Sequence, residues 1–465
     1  MKRTMIGETS SLAGQTVLLK GWVNARRDMG KVCFIDLRDR TGILQVVLVP
    51  SVLGEEGKEL MKGLRSEYVL AIEGEIKDRD AKSINENIPT GKIEMLATKI
   101  TILNAAKTPP FELDKDTRGI NEEVRLKYRY LDLRTERMQK NIRLRDRVMQ
   151  HSRQFLAKEG FTEIETPMLT KGTPEGSREF IVPSRLHPEN FYVLPQSPQQ
   201  FKQLLMVAGV ERYFQFARCL RDEDQRGDRQ PEFTQCDLEM SFVEREDVMD
   251  LVERLMTDMV KTVTPEKVIA QTPFPVMTYK EAMEKYGSDK PDLRKDKNDP
   301  NEMAFCWVVD FPMFETLDDG SVQAMHHPFC SVNPEDREKL MSGNDMMSIR
   351  ANAYDLVCNG YEIWGGSIRI HERDVQNRIF ELLGLSPEEI QTKFGHMLEA
   401  FEFGAPPHGG IASGFDRVMM ILCNEPNIRE VIAFPKTGDA RDLLMNAPSP
   451  LPKKSLDEAN IQVKK

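Results

Sequence analysis

Residues 216–242, FARCLRDEDQRGDRQPEFTQCDLEMSF, set a dense run of charge between two apolar stretches. The pattern reads as a hairpin, two apolar strands with a polar tip crowded by Arg221, Asp222, Glu223, Arg226, Arg229 and Glu232. A solvated turn is the plain reading of such a tip. The flanking strands, however, give the arginines a rigid base from which to grip phosphate oxygens bidentately.

On the amino-terminal side, residues 1–104 are β-rich. VLLKGWVN, VCFIDLRD, ILQVVLV, YVLAIEGEI and KIEMLATKITIL are five apolar or alternating runs separated by turn residues. Between the third and fourth lies SVLGEEGKELMKGLRS, with Leu53, Leu60, Met61 and Leu64 spaced as one helical face. Three strands, a helix, then two strands is the order of an OB fold, a small barrel that binds single-stranded nucleic acid or oligosaccharide. NAAKTPPFELD then reads as a linker, because Pro109 and Pro110 disfavour helix and central strand alike. Residues 121–160 read as helical and heavily charged, stopping at Gly160. EDVMDLVERLMTDMVKTV (246–263) is a second helical stretch, and KYGSDKPDLRKDKNDPNEM (285–303) reads as a polar surface connection.

The chain has 465 residues, 40% hydrophobic and 30% charged, enough for several cores. No apolar run approaches the roughly 20 residues of a membrane span. The amino terminus lacks the apolar core of a signal peptide, so a cytoplasmic protein is expected. Seven cysteines without a CxxC pair argue against a zinc ribbon and a disulfide framework. With a net charge of −10, any nucleic-acid role has to rest on local basic patches.

Four other stretches carry chemistry. GGIASGFDRVMMIL (409–422) is a glycine-rich strand entering an apolar helix with Arg417 at the junction. Its glycines either serve tight packing or let a ligand approach the backbone, with Arg417 as a second phosphate grip; no GxxxxGK[ST] is present. In YDLVCNGYEIWGGSIRIH (354–371), Asp355 and Glu362 stand in apolar surroundings and need a cation. Magnesium bridging a nucleotide is one answer, an internal ion pair with Arg369 the other. His326 and His327 are adjacent, a poor geometry for one metal, which favours ligand contacts. GTPEGSREF (172–180) has the composition of a loop that could close over a substrate.

Together these stretches resemble the bacterial-type aspartyl-tRNA synthetases, within class II of the aminoacyl-tRNA synthetases, over nearly the whole chain. Residues 141–167, ending in FTEIETPMLT, are similar to motif 1; residues 214–242 to motif 2; residues 409–422 to motif 3. QSPQQFKQLLM, RGDRQPEFTQCDLEMSF, HHPF and GGSIRIH resemble the aspartate enzyme in particular. The resemblance implies an α+β protein: an OB-fold anticodon-binding domain over 1–104, a linker over 105–120, a class II catalytic domain over 121–445 with an antiparallel sheet flanked by helices, and an extension over 446–465. It implies ATP and Mg2+ as cofactors, L-aspartate and tRNA(Asp) as substrates, and a homodimer built on motif 1.

By the same resemblance, Arg221 holds the α-phosphate and Arg417 the γ-phosphate. Phe233 stacks on adenine, Glu223 sits at the adenine end, and Arg229, Gln230 and His326 are nearby contacts. Asp355 and Glu362 bind magnesium. Aspartate lies between Ser197, Gln199, Lys202, Gln235, Asp237, His327 and Arg369, with Lys202 and Arg369 on its side-chain carboxylate. Asp237 and Glu175, the latter from the closing loop, take the α-ammonium. Asparagine would leave the two cations partly unpaired, so selection acts against the amide. In the barrel, Phe34 matches a base-stacking aromatic and Gln45 a base-reading amide, with Arg26, Arg27 and Lys31 supplying positive charge.

Two departures are expected to matter. Only about ten residues separate DKPDLR from AFCWVVDF, where bacterial members carry an inserted domain; activity is expected to survive its loss. Trp364 stands where the family has a small residue, and its ring is expected to reshape the pocket floor. The alternative activity is charging of both tRNA(Asp) and tRNA(Asn). Many enzymes of that kind carry a histidine where this chain has Met29, which favours the aspartate-only reading. An asparagine synthetase derived from such catalytic domains would lack residues 1–104. A tRNA-binding paralogue without activity would have lost some of Arg221, Arg417, Asp355 and Glu362.

Overall fold

The computed structural model describes residues 1–30, 32–172, 177–317 and 319–464. They form two compact units, Met1–Arg137 and Met138–Lys465.

The first unit contains a closed five-stranded barrel: β1 (Thr16–Met29), β2 (Val32–Asp39), β3 (Gly42–Leu48), β4 (Val69–Asp78) and β5 (Ile93–Asn104), in the order β1-β2-β3-β5-β4. Helix α1 (Pro50–Gly63) lies between β3 and β4 as the spacing of its leucines requires, kinked at Gly54, whose φ is +70°. Strict alternation explains the closure. Val17, Leu19 and Val23 of β1, Cys33, Ile35 and Leu37 of β2, and Leu44, Val46 and Leu48 of β3 all point into one core. Their alternate neighbours, Phe34 and Asp36 among them, remain on the outer face.

The charged stretch after the barrel is not one helix but three: α2 (Glu122–Lys127), α3 (Arg129–Asp132) and α4 (Glu136–Lys158). The cause is Asp132, fully buried and accepting from Arg129 (2.6 Å), Arg125 (3.2 Å) and the Thr117 hydroxyl (2.8 Å). A buried carboxylate needs such partners, and gathering them from two turns of chain breaks the helix. Asn121 caps α2, and Gly160 (φ +81°) ends the run.

The second unit is built on an eight-stranded sheet: β6 (Thr162–Glu163), β7 (Arg212–Leu220), β8 (Glu232–Ser241), β9 (Val276–Thr278), β10 (Phe305–Val309), β11 (Ala353–Cys358), β12 (Tyr361–Ile368) and β13 (His408–Gly414). Their order is β9-β10-β11-β12-β13-β8-β7-β6. The six central strands are antiparallel, as expected, while β9 and β6 join the edges in parallel. The opening stretch of sequence is the β7–β8 hairpin, Leu220 facing Glu232.

Alternation again decides the faces. On β8, Cys236, Leu238 and Met240 enter the main core, beneath α4, α6 (Arg245–Val263) and α8 (Phe415–Cys423), while Phe233, Gln235, Asp237 and Glu239 point the other way. Trp364 on β12 belongs to the core face: it is 2% exposed, and its Nε1 donates to Met256 Sδ (3.4 Å). The ring therefore does not reach the pocket floor: the register with β11 shifts between Leu356 and Val357, and this bulge puts Ile363 and Trp364 together in the core while Glu362 and Gly365 both face the cleft. Helices α5 (Gln199–Val207) and α7 (Tyr279–Tyr286) complete the elements needed below. Among the described residues, no helix is long and apolar enough to cross a membrane.

Candidate active site

The polar face of the sheet floors a cleft of about 450 Å³. β8 supplies Phe233, Gln235 and Asp237, and the hairpin tip supplies Arg221, Glu223, Arg229 and Gln230. α5 and the turn before it supply Ser197, Gln199 and Lys202; β11 and β12 supply Asp355 and Glu362, and Arg369 follows directly on β12; the loop after residue 325 supplies His326 and His327; and Arg417 enters at the β13–α8 junction. Every catalytic-unit residue to which the resemblance gives a ligand role thus lines one cleft, except Glu175, which lies outside the described residues; Asp222, Arg226 and Glu232 of the hairpin tip do not line it. The cleft is also lined by three charged residues that sequence reasoning missed, Asp228, Lys290 and Asp416, and a fourth, Glu239, stands behind Lys202 and Arg369.

At one end, Lys202 donates to Asp237 Oδ1 (2.5 Å) and lies 3.2 Å from Glu239 Oε2. Arg369 donates to both Glu239 oxygens (2.9 and 3.2 Å) and to the Ser367 hydroxyl (2.7 Å). Arg369 therefore does not serve Asp355 or Glu362. Nor do Lys202 and Arg369 wait as bare cations for a ligand carboxylate: Glu239 joins them, and the four charges cancel. Gly410 makes this possible, since a Cβ there would fall 1.8 Å from Glu239 Oε2. Burial works to raise the Glu239 carboxyl, but Arg369 and Lys202 outweigh it and hold it below the usual range. Burial pushes Asp237 up, against the pull of Lys202. Among the described residues, Asp237 Oδ2, Gln199 Nε2 and the Tyr213 hydroxyl are buried with no hydrogen-bond partner, the hydroxyl lying close enough to the Asp237 carboxylate to interact with it. Asp237 and Gln199 line the cleft, so a polar ligand can meet that demand.

His327 accepts from Arg369 through Nε2 (2.7 Å). Burial and then the Arg369 charge drive its pKa well below the imidazole value, so the ring is neutral, as an acceptor must be. His326 packs edge-on against Phe311, with its Nε2 3.9 Å from Asp355 Oδ1. The adjacent histidines thus serve different partners.

At the other end, β11 and β12 form a hairpin through Asn359 and Gly360, both at positive φ, the pair a tight two-residue turn requires. Its register sets Asp355 opposite Gly365. A Cβ on residue 365 would fall 3.0 Å from Asp355 Oδ1 and 3.2 Å from Glu362 Oε1, so both carboxylates converge over the bare glycine. Burial, and then Glu362, pushes Asp355 well above the carboxylate range; at Glu362 burial is outweighed by Lys290 (3.1 Å) and Arg417 (3.8 Å). Among the described residues, Asp355 Oδ1 has no hydrogen-bond partner.

Arg417 also pairs with Asp228 (3.1 Å), and Arg229 with Glu223 (3.5 Å). Arg221 has no carboxylate partner among the described residues; its guanidinium lies 5.2 Å from the Phe233 ring centroid.

On the barrel, Phe34 faces Arg27 on β1 and Val47 on β3, and the adjacent Asp36 faces Gln45. Arg27 pairs bidentately with Asp36 (2.7 and 2.8 Å) and donates to Gln45 Oε1 (3.2 Å), while Gln45 Nε2 donates to Glu94 (2.8 Å). Arg26 is folded back onto the Leu64 carbonyl (2.5 Å) and Asp28 (3.0 Å), so it lies apart from the Phe34 and Gln45 group. Lys31 is outside the described residues. Met29, at the β1–β2 turn, is 69% exposed.

Residues 121–438 match the family of class II tRNA synthetases (D, K and N), and residues 17–103 match the OB-fold nucleic acid binding domain family. The aspartate–tRNA(Asp/Asn) ligase of Symbiobacterium thermophilum is 43% identical over 593 residues, covering 99% of this chain and all of that one. The aspartate–tRNA ligase of Geobacillus kaustophilus is also 43% identical, over 590 residues covering 100% and 99%. These alignments exceed the 465 residues present here, so well over a hundred positions of each relative have no counterpart in this chain. The asparaginyl-tRNA synthetase of Pyrococcus horikoshii superposes with a TM-score of 0.75 at 23% identity, covering 94% of this chain and 98% of that one, which bears on the fold. A charged cleft on one face of a six-strand antiparallel core, an OB barrel before it, and identity over the whole length together make this chain a member of the class II tRNA synthetases, in the D, K and N family.

Proposed function

We propose that this chain joins L-aspartate to tRNA(Asp) at the expense of ATP. An aspartate α-carboxylate oxygen attacks the α-phosphorus and the bond to the bridging oxygen breaks with its electron pair leaving on pyrophosphate; a hydroxyl of the terminal ribose of the tRNA then attacks the carbonyl carbon of the aspartyl-adenylate, and AMP leaves with the electron pair of the broken C–O bond. There is little covalent work for side chains, so positioning and charge stabilisation supply the acceleration.

The observation that carries this reading is the polarity of the cleft. One end holds the neutralised Lys202–Asp237–Glu239–Arg369 group beside two unsatisfied atoms; the other holds Arg221, with no carboxylate partner among the described residues, and Arg417. Asp237 Oδ2 suits the α-ammonium. With their contacts in place, Lys202 and Arg369 each keep one N–H for the side-chain carboxylate. Phe233 offers a face to adenine, and Arg221, already over that ring, reaches the α-phosphate. Asp355 and Glu362 would hold Mg2+: two carboxylates over a glycine, one with an unpartnered oxygen, are the oxygen-donor set that ion takes alongside phosphates and water. When bound, it offsets charge on the phosphates. In the barrel, Phe34 and Gln45 would read anticodon bases. The enzyme would act as a cytoplasmic homodimer.

A second reading, charging of tRNA(Asn) as well, is favoured by the name of the Symbiobacterium relative and of the Bacillus subtilis relative, 41% identical over 582 residues. Exposed Met29 favours the aspartate-only reading. Aminoacylation with labelled aspartate on separate tRNA(Asp) and tRNA(Asn) transcripts decides. Charging of the first alone gives a discriminating ligase, comparable charging of both the wider one, and charging of neither overturns the proposal.

A further inference from the structure

The stretch 285–303 reads as a polar surface connection, yet part of it turns inward. Lys290 lines the cleft, and its Nζ lies 3.1 Å from Glu362 Oε2, the same oxygen that Arg417 approaches at 3.8 Å. Two cations therefore converge on one carboxylate oxygen at the phosphate end of the cleft. We propose that Lys290 is a third cationic contact for the polyphosphate of ATP, and so for the departing pyrophosphate, beside Arg221 and Arg417. The inference rests on the reaction proposed above and extends it to a residue outside the three motifs.

The connection is built to hold this lysine. The Lys290 amide donates to the Ser288 hydroxyl (3.0 Å), and Asp292 binds Arg294 through both oxygens (3.0 and 2.7 Å). Glu302 accepts from the amides of Lys295 and Asp296 (both 3.1 Å). Asn359, in the β11–β12 turn that sets Glu362, accepts from the Ala304 amide (2.9 Å) and donates to the Glu302 carbonyl (2.9 Å). The chain segment that carries Lys290 and the hairpin that carries Glu362 are thus one hydrogen-bonded assembly. The side chain itself is 37% exposed, on a flexible four-carbon stem that can turn from the carboxylate to a phosphate oxygen. Charge builds on the leaving group as the bond to the α-phosphorus breaks, and an ammonium at that end of the cleft opposes it.

The test uses the full chain and its K290Q and K290R variants, with titration calorimetry of inorganic pyrophosphate and aspartate-dependent ATP–pyrophosphate exchange. K290Q is expected to weaken pyrophosphate about tenfold or more and to raise the KM for ATP similarly, the loss of a charged hydrogen bond. KM for aspartate and thermal stability should stay as in the parent, and K290R should recover most of the affinity. Parent-like pyrophosphate affinity in K290Q overturns the inference, as does a K290R variant no better than K290Q. Absence of exchange in the parent enzyme would overturn the proposed reaction instead, leaving the calorimetric comparison to judge Lys290.

Discussion

The outer wall of the barrel and the open face of the eight-stranded sheet are both the polar sides of sheets whose other side is apolar. They carry charge in opposite ways. On the barrel, Arg27 and its partner Asp36 have side chains 48% and 19% exposed. In the cleft, Lys202, Asp237, Glu239 and Arg369 are 3% exposed or less. Ion pairs at a wet surface contribute about 0–1 kcal/mol, whereas removing one member of a buried group costs about 3–5 kcal/mol. A barrel face of that kind can be re-lettered freely and is suited to a flexible polymer met by stacking. A cleft of buried, mutually neutralised charge is fixed before the substrate arrives, which suits selection of a small ion.

The sharpest way to break this contrast is Glu239→Ala, which leaves Lys202 and Arg369 buried without their shared anion. Urea unfolding is expected to show a loss of about 3–5 kcal/mol together with loss of aspartate-dependent exchange. A loss under about 1 kcal/mol would place the cleft in the same energetic class as the barrel wall. The parent enzyme should show the same dependence through pH. The Glu239 carboxyl is held below its unfolded value of 4.5, so its contribution is complete above that pH and lost as pH falls through the folded value. Next in size is Arg221→Ala. Among the described residues Arg221 has no carboxylate partner to strand, so the variant's melting temperature should barely move, while kcat/KM for ATP in exchange falls about 10²–10³-fold. The two variants together separate charge that holds the cleft from charge that waits for substrate.

That separation also marks what the sequence could reveal. Alternation in β1–β5 and β8 was enough to place the barrel core and to set Phe233, Gln235 and Asp237 on one face, because strand phase is a local property. Glu239 shares that phase and could have been found by extending the alternation two residues; it was passed over because its partners, Lys202 and Arg369, come from remote elements. Lys290 gave no such signal. Its role depends on a turn 70 residues away, and a run rich in Asp, Lys and Pro reads as solvated whichever way one side chain points. The break at Tyr128 was hidden for a related reason: the charges of 121–160 suit an exposed helix, and only the tertiary burial of Asp132 shows that they do not form one. Trp364 stands two residues from Glu362, which on a regular strand means the same face; the bulge that separates them is set by pairing with β11 and leaves no local mark.

On the barrel, the proposed base contacts predict a different signature. Phe34→Ala is expected to raise KM for tRNA about tenfold, in line with about 1–3 kcal/mol per stacked base, with exchange unaltered because no tRNA takes part. A change in exchange would mean that the two units do not divide tRNA binding from adenylate formation.

The smallest expected effect is the most discriminating about the barrel wall itself. Arg27 is held by Asp36 through two hydrogen bonds and by Gln45 through a third. Arg27→Ala should change stability by less than about 1 kcal/mol, since the pair is half in water. If Arg27 leaves Asp36 for a phosphate when tRNA binds, the variant should raise Kd a few fold at low salt and lower the slope of log Kd against log salt by about one. If the guanidinium stays on Asp36 and only orders Gln45, the slope should match the parent while discrimination at one anticodon base relaxes. The first outcome makes the wall a phosphate track with a single stacked base. The second makes Arg27, Asp36 and Gln45 one hydrogen-bonded reading head, preset on the barrel much as Glu239 presets the cleft, but in contact with water.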